Sequence, residues 1–164
     1  QEFIDKERQE WDELYQYILK LHDIVQIPKP NIVRLQELRN GNDIKNGQRY
    51  KKYKMGVPYW LMLDAYKLAE EQIRWCIKNK LNNVTDVQAI NYCISVMLGK
   101  LNEAWKNRKM AEKRAQDAKV ETQRLIKDTN SMMDVTKRIQ EVQQNKLQKM
   151  KQSNDEVDIT TLLD

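Results

Sequence analysis

The sequence predicts an all-α protein: a compact helical bundle of about four helices, followed by a long extended helix and an acidic tail. Apolar residues recur at three- and four-residue spacing along nearly the whole chain, and strand-like alternation is absent. Only four Gly and three Pro occur in 164 residues. A helical period with few helix-breaking residues favours helices throughout.

The first two helices come from residues 4–25 and from a shorter segment that ends near Gly41. Carboxylates crowd the first turns of the longer helix, where the positive end of the helix dipole favours them. Pro28 and Pro30 end it, and Asn31 is a candidate cap for the second helix.

Residues 40–56 predict a basic, Tyr-rich loop with little regular structure, because Asn40-Gly41 and Asn46-Gly47 are turn signals. Cations interleaved with aromatic rings can pair with phosphates and stack on bases, so this loop is a candidate nucleic-acid contact. The alternative is a solvated basic loop whose tyrosines pin it to the neighbouring helices. The candidate residues are Lys45, Arg49, Tyr50, Lys51, Lys52, Tyr53 and Lys54.

Two core helices follow. Residues 59–80 carry an apolar face so broad that it predicts a central helix covered from two sides. Another nearly continuous apolar helix begins near Thr85 or Asp86 and reaches Leu101. Together with the first two, these helices can close a small bundle over residues 1–105.

Residues 106–152 predict a long basic helix. Neither Gly nor Pro interrupts residues 100–152, and about 50 helical residues extend on the order of 75 Å. In the heptad register that runs from Ala111 to Met150, only about half of the seam is apolar, so the coiled-coil character is weak. We expect self-association or a protein partner, with disorder beyond about residue 127 as the competing interpretation.

The end of the chain offers apolar side chains on a polar background. Residues 153–164 form an acidic flexible tail with apolar residues interspersed, a pattern that can dock in basic grooves. The alternative is a disordered tail without a binding role. The candidate partner-binding residues are Met132, Met133, Ile159, Leu162 and Leu163.

The net charge of +5 conceals a layout that is acidic, basic, basic and acidic. Residues 1–13 carry −4, residues 14–97 carry +6, residues 98–152 carry +7 and residues 153–164 carry −4. This layout favours an anionic partner for the middle of the chain, or ends that fold back on it.

A second basic group begins the long helix. Lys106, Lys109 and Lys113 share one helical face and could follow a nucleic-acid backbone. Such a row gives phosphate affinity without base specificity, so we expect sequence-tolerant, salt-dependent binding.

Residues that could support catalysis are scarce. The one histidine, His22, is expected at a surface or boundary position, and Cys76 and Cys93 lie in apolar runs as buried reduced thiols. Phosphate-binding loops, nucleophile elbows and metal-ligand spacings are absent from the sequence. We therefore expect a protein that is not an enzyme, with no cofactor, metal or small-molecule substrate.

No run approaches the roughly 20 apolar residues of a membrane span, and no secretory signal pattern is present. These absences predict a cytoplasmic protein. Residue 1 is Gln rather than Met, so we expect a fragment or a trimmed product.

Ile73 and Ile77, followed by the run NYCISVM at residues 91–97, carry a family resemblance. Residues 72–105 resemble the C-terminal helical module of DnaD-type replication proteins of bacteria and phages, although Lys100 stands where that module has a Trp. The resemblance implies a role in replisome assembly, and Tyr92 is the residue that it carries over.

The function that we predict is a non-enzymatic accessory protein of phage, plasmid or bacterial DNA metabolism. It would bind the phosphate backbone of DNA or RNA through the basic loop and the basic row. The alternative is a protein–protein adaptor, assembly factor or inhibitor that acts through the long helix and tail and has no nucleic-acid role.

Overall fold

The computed structural model describes the backbone of residues 1–162 and the side chains of residues 1–154. This part of the chain is mostly helical, as the sequence predicts, with one short strand pair. It divides into two compact units, one over Gln1–Met110 and one that begins at Ala111. Its elements are α1 (Glu2–His22), α2 (Lys29–Arg39), β1 (Asn42–Lys45), β2 (Gln48–Lys51), α3 (Tyr59–Leu68), α4 (Glu70–Asn79), α5 (Asp86–Leu98) and α6 (Leu101–Leu162).

The first unit is built around α3 and α5. α1 packs on α3, while α2 and α3 both pack on α5. α1 buries the middle of its predicted stripe, Leu14, Ile18 and Leu21, whereas Ile4 is 60% exposed and Val25, which follows the end of the helix at His22, is 94% exposed. The first turn of α6 adds Leu101 and Ala104 to the same core. Fully buried side chains from five helices therefore share one core, among them Leu14, Ile18, Leu35, Leu38, Met62, Tyr66, Ile73, Ile90, Ile94 and Met97.

The single helix predicted for residues 59–80 is in fact two helices. α3 ends at Leu68, and the buried Ala69, with φ −91° and ψ 1°, separates it from α4. Its amide donates to the carbonyl oxygens of Ala65 and Tyr66, both at 3.1 Å, in a tightened last turn. On either side of the break, Tyr66 of α3 and Ile73 of α4 are fully buried in the same core.

Asn31 does not cap α2, because the helix begins earlier, at Lys29, after Pro28. Asn31 is instead fully buried and joins α2 to α5. Its Nδ2 donates to the carbonyl oxygen of Val87 at 3.1 Å and to Oδ1 of Asn91 at 3.0 Å. Asn31 therefore connects two helices inside the core instead of capping one of them.

The second unit consists of α6 from Ala111 onward, and its side chains are exposed through Asn154. α6 ends at Leu162, so residues 153–162, predicted to be a flexible tail, continue the helix. The side chains of Ile159 and Leu162 and all of Leu163 lie outside the described residues. Among the helices described, none combines the length and apolar character needed to cross a membrane.

Candidate nucleic-acid interface

The basic segment forms an antiparallel β-hairpin. The paired residues are Asn42 with Lys51, Asp43 with Tyr50, Ile44 with Arg49 and Lys45 with Gln48. Asn46 and Gly47 close it with φ values of 52° and 77°, the left-handed conformations of the tight turn that suits twisted strands. The prediction of an irregular loop is therefore wrong. The Asn-Gly pair was the available signal, but the strands lack the apolar alternation that marks strands in a sequence.

One face of the hairpin is fixed to the helices by a buried ion pair. Arg34 of α2 donates from Nε to Oδ1 of Asp43 at 2.8 Å and from Nη2 to Oδ2 at 3.3 Å. Its guanidinium also donates to the carbonyl oxygen of Asn91 at 2.8 Å and to Ser95 Oγ at 3.2 Å, both on α5. Burial opposes ionisation of Asp43, but hydrogen bonds from Arg34, the next backbone amide and Lys52 outweigh it and lower the pKa of the carboxyl.

The other face of the hairpin is held by Glu37, also on α2. Side chains alternate between the two faces of a strand, so Asn42 and Arg49 lie on the face opposite Asp43. Asn42 Nδ2 donates to Glu37 Oε2 at 3.1 Å, and Arg49 Nη1 donates to Oε1 at 3.4 Å. The hairpin therefore stands on α2 with contacts on both faces of its base.

Two of the predicted contact residues fasten the hairpin. Lys52 Nζ lies 3.3 Å from Oδ2 of Asp43 and 5.6 Å from the ring centroid of Tyr53. Tyr53 is half-buried against the core, and this burial raises the pKa of its hydroxyl. Tyr53 therefore anchors the segment to the core, as in the alternative interpretation of a basic loop that is pinned by its tyrosines.

The remaining predicted residues of the segment are exposed. Lys45 and Tyr50 share one face of the hairpin, and Lys51 lies on the other with Arg49. Within the described chain, no ion pair involves Lys45, Lys51 or Lys54, whereas Arg49 reaches Glu37. The hairpin thus presents two exposed lysines and a 41% exposed Tyr50, and the exposed Lys54 follows three residues after β2.

A groove of about 500 Å³ opens beside the hairpin turn. Pro30 and Val33 of α2 and Ile44 of β1 contribute apolar lining, and Lys29 lines the same groove. Apolar lining together with a cation can accept the flat face of a base whose phosphate is held nearby.

The predicted basic row starts α6 and does not lie on the hairpin. Lys106, Lys109 and Lys113 are all exposed, with the first two in the first unit and Lys113 in the second. Lys109 Nζ lies 4.5 Å from the ring centroid of Trp105. The hairpin is attached to α2, whose Arg34 also reaches α5, whereas the start of α6 is attached to α3.

That attachment consists of aromatic and charged side chains that the sequence analysis did not connect. The rings of Trp60 and Trp105 stack with centroids 6.0 Å apart. The Arg108 guanidinium lies 4.9 Å from the Trp60 centroid, and its Nε donates to Asp64 Oδ2 at 2.9 Å. Arg108 therefore helps to hold α6 on α3.

The histidine and the two cysteines are largely withdrawn from solvent. His22 is half-buried, its Nε2 has no hydrogen-bond partner among the described residues, and burial lowers its pKa to about 4. Cys76 and Cys93 are buried and free, and burial raises the pKa of Cys93 to about 12, so this thiol stays protonated. Within the described residues, no group of three or more His, Cys, Asp or Glu side chains could hold a metal ion.

The predicted partner-binding methionines lie on the second unit. Met132 and Met133 are 72% and 64% exposed on α6. Ile159, Leu162 and Leu163 cannot be assigned to a surface, since their side chains fall outside the described part.

Comparison with known protein families gives a match over nearly the whole chain. A family model described as SPbeta prophage protein YorH matches residues 1–161. No curated protein and no solved structure matches the chain. The phage source of the family is consistent with the source expected from the sequence, and the likeness to DnaD-type proteins stays a prediction. Because the match covers nearly the whole chain, the protein belongs to the SPbeta prophage protein YorH family.

Proposed function

We propose that the protein is a non-enzymatic accessory factor of phage nucleic-acid metabolism that binds the phosphate backbone through its β-hairpin. One observation carries this proposal: the hairpin is fixed to α2 at its base and exposes Lys45, Tyr50 and Lys51, with the exposed Lys54 three residues after its second strand. A fixed support matters because side chains that are already positioned lose less conformational entropy on binding.

The two faces of the hairpin suit complementary contacts. Lys45 lies on the face of Tyr50, so a phosphate bound by the lysine brings a neighbouring base within reach of the tyrosine ring. Lys51 extends the positive charge to the other face. These contacts are to phosphate and to the flat faces of bases, and neither reads base identity, so binding is tolerant of sequence.

The context proposed for this binding is replisome assembly. The resemblance of residues 72–105 to DnaD-type modules and the phage source of the family both support it. Tyr92, the residue carried over by the resemblance, is 41% exposed on α5 and is accessible to a protein partner.

Fluorescence anisotropy of labelled single- and double-stranded oligonucleotides at two salt concentrations tests the proposal. The logarithm of the affinity should fall with the logarithm of salt concentration at a slope of about −0.7 to −0.9 per phosphate contact. The test variant changes Lys45, Lys51 and Lys54 to Glu and leaves Arg49 and Lys52 in place, because both support the hairpin.

A matched control changes the exposed Lys20, Lys67 and Lys78 to Glu, which alters the net charge equally on α1, α3 and α4. We expect the hairpin variant to lose binding and the control to keep most of it. Equal losses would mean that net charge alone attracts the nucleic acid. Absence of wild-type binding at low salt would overturn the proposal.

A second candidate function is that of a protein-binding adaptor acting through α6. It is favoured by the large apolar side chains that α6 exposes in the second unit, Met132 and Met133 among them. Apolar docking of this kind depends little on salt, so the salt series that tests the hairpin also separates the two functions.

A further inference from the structure

The exposed surface of α6 in the second unit repeats every seven residues. Large aliphatic side chains recur at this interval, and so do threonines. On a straight helix such a repeat drifts by about 20° per heptad, and it stays on one line when the helix winds around another helix. The repeating residues are Leu125, Met132 and Ile139, and Thr122, Thr129 and Thr136.

The line formed by these repeating residues is called the α6 seam, and the threonines contribute methyl groups to it. Their hydroxyls donate to the carbonyl oxygen four residues earlier: Thr122 to Ala118 at 2.8 Å, Thr129 to Leu125 at 2.8 Å and Thr136 to Met132 at 2.9 Å. Because each hydroxyl is satisfied within its own helix, a partner can cover the methyl without stranding a polar hydrogen. The seam is therefore more apolar than residue types alone indicate.

We propose that the partner of this seam is a second copy of the chain, with the two α6 helices antiparallel. This inference makes the adaptor candidate specific by naming its partner, and it holds whether or not the hairpin binds nucleic acid. The second copy presents the same seven-residue repeat, which is the period that a helix needs in order to follow the seam along its length.

Size matching favours the antiparallel arrangement. When the second helix is reversed about a point between Thr129 and Met132, each threonine faces a large aliphatic residue. The layers become Thr122 with Ile139, Leu125 with Thr136, and Thr129 with Met132 of the second copy. A parallel, in-register pair would instead place threonine against threonine and methionine against methionine. Alternation of large and small side chains fills each layer evenly, as close packing requires.

The available area and the charge also suit a second copy. Nine large apolar side chains lie on or beside the seam, and at roughly 60–120 Å² each they can bury about 540–1,080 Å² per chain, against about 800 Å² per partner in a standard interface. Residues 118–142 carry five cations and four carboxylates, so two copies repel each other little. The nine side chains are Leu125, Ile126, Met132, Met133, Val135, Ile139, Val142, Leu147 and Met150.

Sedimentation equilibrium of the full chain, without nucleic acid, tests the association. We expect twice the chain mass of 19.7 kDa for the wild type. Changing Leu125 and Ile139 to Asp should weaken association by at least about tenfold. Val120→Asp is the matched control, because Val120 is 53% exposed on the same helix but lies off the seam. A monomeric wild type at the highest soluble concentration, or equal losses in both variants, would overturn the proposal.

Cysteine cross-linking tests the orientation. In the antiparallel pair Ala118 faces Gln143 of the second copy, so a variant with both A118C and Q143C should form disulfide-linked dimers while A118C alone should not. The wild type is the control, since Cys76 and Cys93 are buried. Self-linkage of the A118C variant would show a parallel pair and reject the antiparallel arrangement. Neither readout uses nucleic acid. Failure of the dimer proposal can therefore be told apart from failure of the hairpin proposal.

Discussion

Arg34 and Asp43 are joined by two side-by-side hydrogen bonds, and the same guanidinium reaches two groups on α5. The side chains of the pair are only 11% and 3% exposed. One arginine thereby ties the hairpin, α2 and α5 together. The position of the candidate binding residues consequently depends on a charge pair that is almost absent from the surface.

Asp43→Asn should destabilise the first unit by about 3–5 kcal/mol, because it leaves the Arg34 charge buried without its counter-ion. Asp64→Asn is the matched control. It breaks the ion pair between Asp64 and Arg108. Because these side chains are more exposed, we expect a cost below about 1 kcal/mol. Urea unfolding followed by circular dichroism measures both. Similar losses in the two variants would contradict the structural role assigned to Asp43.

Gly56→Ala should be poorly tolerated, because a Cβ there would overlap the carbonyl group of Arg39 at the end of α2. Backbone shifts of this kind cost about 1–3 kcal/mol or more. Gly99→Ala provides the comparison: Gly99 has φ −65°, and its Cβ would come no closer than 3.3 Å to the Val96 oxygen. We expect a change within about 1 kcal/mol for that variant. Thermal unfolding curves of the two proteins check the order.

Stability should fall as the pH is lowered from about 6.5 toward 4, because of His22. Burial lowers the pKa of this histidine from 6.5 to about 4, so in that window the unfolded chain binds a proton that the folded protein does not. The loss is at most about 1.4 kcal/mol per pH unit and is absent above the unfolded pKa.

His22→Leu should flatten the stability profile between pH 6.5 and 4. The lowered pKa of Asp43 acts in a different window: its contribution is complete above the unfolded value of 3.8 and is lost as the pH falls through the folded one. Urea titrations across pH 3–7 separate the two groups. A variant that loses as much stability as the wild type between pH 6.5 and 4 would exclude His22 as the cause.

Tyr66→Phe should leave stability unchanged or raise it by up to about 2 kcal/mol. The Tyr66 hydroxyl is fully buried and has no hydrogen-bond partner among the described residues, so its removal relieves a desolvation cost. Tyr15→Phe makes the opposite change, because the Tyr15 hydroxyl accepts a hydrogen bond from the Ile27 amide at 3.2 Å. That variant should lose about 1 kcal/mol. Chemical denaturation at neutral pH compares them, and a loss in Tyr66→Phe as large as in Tyr15→Phe would point to an unseen partner for Tyr66.

Hydrophobic periodicity predicted the helices well where it was strong. α1 buries the middle of its predicted stripe but not its ends, and α5 begins at Asp86 after a Thr85 cap whose side chain accepts from the Gln88 backbone amide. Periodicity could not reveal the break at Ala69, since no Gly or Pro marks it and apolar residues continue at helical spacing across it.

The candidate site was predictable in composition but not in geometry. The cations of the segment are exposed, as their charge requires, yet the strands are fixed by Arg34 and Glu37, which come from a helix earlier in the chain. Such tertiary contacts leave no periodic signal. The same holds for Lys52, which looks like another surface lysine in the sequence and proves to be a partner of Asp43.

The exposure of β2 has a consequence for handling the protein. All four of its residues are exposed, and within the described chain only β1 pairs with it, so one side of the strand presents unpaired peptide groups. Such an edge can add strands from other molecules, and Lys and Arg side chains along it oppose this. Acetylation of the hairpin lysines, or their replacement by Ala, would remove that protection and promote aggregation. Replacement by Glu keeps the edge charged, so charge reversal can abolish phosphate binding without making the protein insoluble.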